Sequence, residues 1–256
     1  MELIDTHAHL TFEELLADVD GVMARSIEAG VTGWVTVGTD VEHVTKVVEI
    51  IEKYDRLWGA VGFHPHYAKD ITDADIEFLR KCCNNEKVVA VGEIGLDYHY
   101  NFSEKDRQKE VFEQQLDVAV DANLPVIIHT REAFDDTFEI LDRYAGRIKG
   151  AVVHCYSGDA VQAKMLLDKG FHISFTGIVT FKNSDQAREA AKVVPLDRMM
   201  VETDCPYISP APMRNQRPCE PALMIHTANK LAEIKGVDIA EFAEKVTATS
   251  REFFGF

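Results

Sequence analysis

The sequence lacks any apolar run long enough to cross a membrane. It also lacks the basic stretch and apolar core of a secretory signal peptide, because its first residues are acidic and lead directly into a strand-like segment. We therefore expect a cytoplasmic protein that has no membrane partner.

Cysteines arranged as a disulfide framework are missing too. The chain of 256 residues has five cysteines, an odd number without framework spacing. Such usage indicates reduced intracellular thiols. The five are Cys82, Cys83, Cys155, Cys205 and Cys219.

Basic residues are scarce as well. Lys and Arg number 27 against 43 Asp and Glu, which gives a net charge of −16. A protein that grips long duplex DNA through many phosphates usually carries a basic face, and no basic run is visible here. A nucleic-acid substrate would therefore be engaged over few phosphates, with metal ions supplying much of the local positive charge.

Short apolar runs alternate with segments of helical period along the whole chain. The runs are apolar on both faces and are not joined by tight hairpin turns, which is typical of buried parallel strands with crossover helices. The predicted strands are Leu3–His7, Gly33–Val37, Leu57–Phe63, Val88–Glu93, Pro125–His129, Ala151–His154, His172–Phe175 and Met199–Glu202.

Amphipathic helices are predicted between the strands. Gly30 is a natural stop for the first, and Ser103 is the candidate N-cap of the fourth. The predicted helices are Phe12–Ala29, Val41–Tyr54, Asp73–Cys83, Ser103–Ala122, Ala133–Tyr144, Asp159–Lys169, Ser184–Val193, Ala222–Ile234 and Asp238–Phe253.

This alternation predicts an α/β fold of the TIM (β/α)8-barrel type. The alternative, a doubly wound open sheet, does not usually need so many parallel strands. No linker or low-complexity tract interrupts the series, so we expect residues 1–256 to form a single barrel domain.

The pair His7 and His9 closes the first predicted strand. Residues two apart in extended backbone point the same way, so both imidazoles converge on one point. Two convergent imidazoles suit zinc, manganese or iron. A chance spacing of two histidines is the competing interpretation.

Further ligand-type residues follow other predicted strands. In a TIM barrel the chemistry gathers at the carboxyl ends of the strands, so these side chains are expected on one rim. Each alone has a structural alternative: Glu93 could pair with an arginine, Asp204 could cap a turn, and a lone histidine could simply be solvated. The residues are His64, His66, Glu93, His129, His154 and Asp204.

Several motifs together carry a family resemblance that covers essentially the whole chain. They are Ile4-Asp5-Thr6-His7-Ala8-His9, Val61-Gly62-Phe63-His64-Pro65-His66, Val91-Gly92-Glu93-Ile94-Gly95-Leu96-Asp97-Tyr98, Pro125-Val126-Ile127-Ile128-His129-Thr130-Arg131, His154-Cys155-Tyr156-Ser157-Gly158 and Glu202-Thr203-Asp204-Cys205-Pro206-Tyr207. With these motifs the chain resembles the TatD-type metal-dependent deoxyribonucleases of the amidohydrolase-like superfamily.

The resemblance implies a barrel hydrolase with two divalent ions, of magnesium, manganese or zinc. It implies that His7, His9 and Asp204 hold one ion, and that His129 and His154 hold the other, with Glu93 as the bridging carboxylate. Asp204 and Glu93 are then the expected catalytic groups. The expected reaction is phosphodiester hydrolysis, as an exonuclease on single-stranded or frayed DNA, with RNA left open as a further substrate.

Substrate contacts are less defined by the sequence. Arg131 and Ser157 are candidates for binding the phosphate, and His64 or His66 for positioning the substrate or the leaving oxygen. One departure from the family concerns a loop that commonly resembles Arg-Asn-Glu-Pro. Here Arg217-Pro218-Cys219-Glu220-Pro221 stands at that place, which leaves the substrate preference open.

Two other classes of function remain open at this point. One is an amidohydrolase-like enzyme that cleaves a small ester, lactone or cyclic amide, which would need no phosphate-binding side chains. The other is a non-catalytic metal-binding protein. The presence of a suitable residue at every expected ligand position argues against this second class. The oligomeric state is open, with a monomer as the default expectation.

Overall fold

The computed structural model describes residues 1–100 and 102–256. Its strands are β1 (Leu3–Ala8), β2 (Val31–Val37), β3 (Leu57–Val61), β4 (Val88–Asp97), β5 (Val126–Arg131), β6 (Ala151–Val153), β7 (His172–Phe175) and β8 (Met199–Val201). Its α-helices are α1 (Glu13–Leu16), α2 (Val19–Glu28), α3 (Val41–Ile51), α4 (Asp73–Cys82), α5 (Lys105–Ala122), α6 (Phe134–Tyr144), α7 (Ala160–Asp168), α8 (Asp185–Val193), α9 (Met224–Lys235) and α10 (Ile239–Phe254).

The sheet has eight strands in the order of the chain, from β1 to β8. The strand pairs with a described register are parallel, and helices follow the strands. This is the topology of a TIM (β/α)8-type barrel, which confirms the predicted fold class. Within the described residues, no helix combines the length and apolarity needed to cross a membrane.

The chain divides into two compact units. The terminal unit consists of Met1–Thr36 and His154–Phe256, and the central unit consists of Val37–Val153. The prediction of a single domain stays a prediction.

In the terminal unit, parallel pairing sets the strands side by side. Leu3 of β1 lies opposite Val31 of β2, and Phe175 of β7 lies opposite Val201 of β8. Helix α10 packs against β1 and β8. A single bridge between Ala8 and Cys205 ties the end of β1 to the segment that follows β8. The core is filled by fully buried side chains that include Trp34, Phe175 and Phe242.

In the central unit, β4 lies between β3 and β5. Gly95 lies opposite His129, and a Cβ atom at Gly95 would come within 2.0 Å of the His129 carbonyl oxygen. Glycine is therefore needed at this close approach of β4 to β5. Helix α5 covers β4 and contributes Phe112 and Leu116 to the core.

The predicted helix Phe12–Ala29 is wrong in one respect, because the structure divides it into α1 and α2. Asp18 interrupts the helical backbone with a φ of −138°. Its carboxylate accepts hydrogen bonds from Arg25. A hydrophobic period continues across such a break, so the pattern alone could not reveal it.

The predicted N-cap Ser103 is also wrong, because α5 begins at Lys105 after the N-cap Glu104. The Ser103 hydroxyl accepts a hydrogen bond from the Lys69 N–H and donates one to the His66 carbonyl, both at 3.0 Å. Ser103 therefore bonds to the backbone of a 3-10 helix, Pro65–Asp70, instead of capping α5.

Candidate metal centres

The first cluster of ligand-type side chains lies in the terminal unit. His7 and His9 leave the end of β1 with their Nε2 atoms 3.3 Å apart. The Oδ1 atom of Asp204 lies 3.4 Å from His9 Nε2 and 3.8 Å from His7 Nε2. We call these three residues the Asp204 cluster. Their convergence agrees with the i, i+2 spacing of the two histidines.

Asp204 owes its position to the segment that follows β8. Its N–H donates to the His7 carbonyl at 2.9 Å, and its φ of 58° is left-handed. Few residues other than glycine adopt that region, although aspartate does so more readily than most. The turn therefore directs this carboxylate back towards the two histidines.

Asp5 is hydrogen-bonded to the residue that precedes Asp204, and the sequence did not single it out as a site residue. Its carboxylate accepts hydrogen bonds from the Thr203 N–H at 3.0 Å, the Thr203 hydroxyl at 2.6 Å and the His7 N–H at 3.3 Å. Burial raises the pKa of Asp5 to about 7, and these hydrogen bonds oppose the rise. The motif that contains Asp5 was visible, but its partner Thr203 is distant in the chain.

A second cluster in the terminal unit consists of His7, His154 and Glu202, the Glu202 cluster. The rings of His7 and His154 stack with their centroids 4.0 Å apart. Glu202 is buried; its Oε1 atom accepts the Cys155 N–H at 2.6 Å and lies 3.5 Å from His154 Nδ1. Glu202 ends a predicted strand, but it was not singled out as a ligand or an orienting group.

The third cluster lies in the central unit and consists of His64, Glu93 and His129, the Glu93 cluster. Glu93 Oε1 lies 2.8 Å from His129 Nδ1 and 3.5 Å from His64 Nε2. Glu93 is buried, so its carboxylate needs a positive or proton-donating partner. The structure thus places His64, which was predicted to position substrate, beside two predicted ligands.

Asp97 is hydrogen-bonded to His129 of the Glu93 cluster and to His66, and the sequence did not single it out as a site residue. Its Oδ2 atom lies 3.0 Å from His129 Nε2 and 3.0 Å from His66 Nε2. Burial by itself would raise the pKa of Asp97, but the hydrogen bonds from His129 and His66 outweigh burial and hold that pKa well below its usual range. Asp97 is therefore an ionised acceptor that orients both rings.

The remaining predicted substrate residues lie apart from these clusters. Arg131 is exposed at the end of β5, with its guanidinium carbon 4.7 Å from the centroid of the Tyr100 ring. Ser157 lies on an exposed turn, where its carbonyl accepts a hydrogen bond from Gln186. Within the described residues, neither belongs to a metal-binding group. Their substrate roles stay predictions.

The altered loop after β8 is anchored through Glu220. The Glu220 carboxylate accepts hydrogen bonds from Arg25 Nε at 2.8 Å and Nη2 at 3.1 Å, which connect the loop to α2. The glutamate of this loop therefore has a structural partner even though the residues before it depart from the family pattern.

The clusters have the donor chemistry of divalent-cation sites. In each, one nitrogen or oxygen atom per residue lies within 4.8 Å of the others. Imidazole and carboxylate donors suit zinc, manganese and iron. In the Glu93 cluster, His129 lies between the ionised Asp97 and Glu93. With the proton on Nε2 facing Asp97, the Nδ1 lone pair faces a carboxylate, an arrangement that a bound cation relieves.

Comparison with known proteins agrees with this chemistry. The family model of TatD-related DNases matches residues 4–255. An uncharacterized metal-dependent hydrolase of Bacillus subtilis, YabD, is 40% identical over 252 residues, which cover 98% of each chain. A protein of Erwinia tasmaniensis, named a 3'-5' ssDNA/RNA exonuclease TatD, is 32% identical and covers 98% of this chain and 99% of its own.

Among solved structures, the TatD homologue YJJV of Escherichia coli K12 superimposes with a TM-score of 0.93 and 30% identity. That match covers 99% of this chain and 98% of the other. The likeness thus extends over nearly the whole length of the chain. The chain belongs to the TatD-related DNase family and is a metal-dependent hydrolase.

Proposed function

We propose that this hydrolase is a nuclease that removes nucleotides from the ends of single-stranded or frayed DNA with the help of two divalent ions. The observation that carries the proposal is the presence of a buried set of imidazole and carboxylate donors in each unit. The name of the Erwinia tasmaniensis relative, an exonuclease on single-stranded DNA and RNA, supports the substrate class.

For the first ion, the proposed ligands are the members of the Asp204 cluster. For the second, the proposal keeps the assignment that the family resemblance implies: His129 and His154 as ligands, with Glu93 as the bridging carboxylate. The Glu93 cluster adds His64 as a further donor to that set. Magnesium, manganese and zinc are the candidate metals.

Divalent ions at these positions would act as Lewis acids that stabilise negative charge on the phosphoryl oxygens and ease deprotonation of a water nucleophile. The side chains of the protein do the rest. Asp204 is part-exposed, at 14% for its side chain, whereas His7 and His9 are buried. Solvent water therefore reaches Asp204, which we propose orients the nucleophile and accepts its proton.

In the central unit, Asp97 fixes the proton positions of two histidines. As an ionised acceptor it holds the protons on the Nε2 atoms of His66 and His129. His66 is then left with Nδ1 as the ring nitrogen through which it meets the substrate or the leaving oxygen. Arg131 and Ser157 are proposed to contact the phosphate from their exposed positions.

A substrate panel tests this proposal. Metal-loaded protein is given single-stranded DNA and RNA oligonucleotides beside small esters, lactones and cyclic amides. We expect the oligonucleotides to be shortened with a kcat/KM much higher than that for any of the small esters, lactones or cyclic amides. Faster hydrolysis of a small ester, lactone or cyclic amide would make the protein an amidohydrolase-like enzyme instead.

A further inference from the structure

Two aromatic side chains of the central unit form an exposed stacked pair. The rings of Tyr100 and Phe102 lie nearly parallel, at 7°, with their centroids 5.5 Å apart. Tyr100 is 41% exposed and Phe102 is 54% exposed. Large apolar side chains this exposed leave aromatic surface in contact with water, which favours contact with another molecule.

The pair is joined to the Glu93 cluster through His66. The His66 ring meets Tyr100 edge-on at 5.4 Å between centroids and Phe102 edge-on at 4.9 Å. The same ring is hydrogen-bonded to Asp97, which in turn holds His129. His66 and Asp97 would therefore connect a molecule stacked on the pair to His129, a proposed metal ligand.

The loop that carries the pair is held at both ends. The Gln108 side chain of α5 donates to the Asp97 carbonyl at 3.0 Å and to the Ser103 carbonyl at 2.9 Å. The Asp97 carboxylate accepts the Tyr100 N–H at 2.9 Å. These bonds restrain the backbone at Tyr100 and at Ser103, and such restraint lowers the entropic cost of binding.

A cation lies beside the aromatic pair. The Arg131 guanidinium covers the Tyr100 ring at 4.7 Å. Across residues 1–100 and 102–256, no carboxylate comes within ion-pair distance of it, since neighbouring Glu132 is paired with His99 instead. An exposed guanidinium without a carboxylate partner can bind a phosphate.

We propose that Tyr100 and Phe102 form a stacking platform for a nucleobase of a single-stranded DNA or RNA substrate, with Arg131 on the adjoining phosphate. This inference rests on the proposed nuclease function and names how that substrate is held. With a net charge of −16 and no basic run in its sequence, the chain is not expected to obtain its affinity from a long basic groove. Base stacking supplies affinity independently of charge, and it accepts any base and either sugar.

Binding tests the platform without turnover. Fluorescence anisotropy measures the affinity of metal-loaded protein for labelled DNA and RNA strands that have nuclease-resistant phosphorothioate linkages, and for a fully abasic strand of equal length and charge. The wild type is expected to bind the base-bearing strands more tightly than the abasic strand. Phe102→Ala is expected to weaken binding of the base-bearing strands by roughly 5- to 150-fold, the range for one lost stacking contact, and to leave the abasic strand unchanged.

Matched variants separate stacking from folding. Phe102→Trp keeps an aromatic face and is expected to retain affinity, and Tyr100→Leu repeats the loss at the second ring. Phe138→Ala breaks another stacked aromatic pair of the central unit, the one with Phe134, and is expected to bind like the wild type. Arg131→Met is expected to weaken base-bearing and abasic strands alike.

The outcomes distinguish this inference from the proposed function. Equal weakening of base-bearing and abasic strands by Phe102→Ala, or no weakening at all, overturns the platform even if the protein cleaves DNA. Base-dependent binding that needs Phe102 in a protein without cleavage supports the platform and overturns the nuclease. Absence of binding to any strand overturns both.

Discussion

Among single residues, carboxylates that accept hydrogen bonds from histidines or their backbone position the candidate metal ligands. Asp97 accepts hydrogen bonds from two imidazoles, and its carboxylate is held in the ionised form. Such a partner fixes the tautomer and the orientation of a metal-binding histidine and makes its other nitrogen a better donor. Asp5 supports the Asp204 cluster instead through the backbone, because its partners are Thr203 and the His7 N–H.

Replacement of Asp97 by asparagine is expected to weaken binding of a divalent ion by roughly 10- to 100-fold, the usual effect of losing an orienting carboxylate. The amide keeps the shape but loses the charge that holds the His129 ring. Isothermal titration with manganese or zinc measures the change. Asp136→Asn is the matched control, since Asp136 bonds to Tyr98 and Lys109 rather than to a candidate ligand. Unchanged affinity in Asp97→Asn would contradict the orienting role.

Asp5 predicts a pH dependence of stability in the metal-free protein. Burial raises its pKa from an ordinary 3.8 to about 7, so the folded state binds this proton more tightly than the unfolded state. The associated stability is fully present below pH 3.8 and is lost as the pH rises through about 7. At about 1.4 kcal/mol per pKa unit, the loss is at most about 4 kcal/mol.

Denaturant unfolding between pH 4 and 8 measures this loss when the wild type is compared with Asp5→Asn, which cannot titrate. We expect the advantage of the wild type over the variant to shrink as the pH rises. A difference between the two proteins that stays constant with pH would show that Asp5 does not titrate in this window.

At the scale of secondary-structure elements, helix α5 holds the loop that follows β4. Gln108 is buried, and its side-chain amide bonds both to the Asp97 N–H and to the carbonyls of Asp97 and Ser103. Because polar backbone atoms that lose such partners inside a protein are costly, one side chain of α5 stabilises the backbone at Asp97 and at Ser103.

Gln108→Leu is therefore expected to lower the free energy of unfolding by about 1–3 kcal/mol, the cost of buried polar groups left without partners. Gln114→Leu in the same helix is the control, because Gln114 is only half-buried. Thermal unfolding of both variants measures the difference. Equal effects of the two substitutions would show that Gln108 does not hold the loop.

Much of this element pattern could be predicted from the sequence, because parallel strands and amphipathic helices have distinct periods. The ends of these strands and helices depend on contacts with residues elsewhere in the chain, which the hydrophobic period does not show. Strand β4 continues past Glu93 to Asp97 because Ile94 and Leu96 are buried too. The break at Asp18 and the use of Ser103 depend on side-chain hydrogen bonds that a hydrophobic period does not report.

The candidate site was predictable to a similar extent. His7 and His9 converge as their spacing requires, and Asp204 joins them. The partnership of Glu93 with His64, and the roles of Asp5, Asp97 and Glu202, depend on contacts between residues far apart in sequence. Those contacts are set by strand register, for example where Gly95 lies opposite His129, and no local pattern encodes that register.

At the scale of the whole molecule, the net charge of −16 limits how the substrate is held. A strand held over few phosphates releases few counterions, so its affinity depends weakly on salt. We expect single-strand binding to fall by about tenfold or less between roughly 50 and 200 mM salt, against a loss of about a thousandfold or more for a protein with many phosphate contacts.

The same charge predicts faster cleavage of single strands or frayed ends than of closed circular duplex. Parallel digestion of both forms at equal nucleotide concentration measures this preference. Faster cleavage of the circular duplex, or a steep dependence on salt, would contradict binding over few phosphates.

Hydrolysis of an end-labelled single-stranded DNA oligonucleotide by metal-stripped protein, before and after resupply of magnesium, manganese or zinc, tests the proposed nuclease activity. Glu93→Gln serves as the companion variant, and circular dichroism confirms its fold. We predict a ladder of progressively shorter products that requires both the metal and Glu93. Full activity of the metal-loaded variant would remove Glu93 from the mechanism, and intact oligonucleotide in the presence of folded, metal-loaded wild type would contradict the nuclease itself.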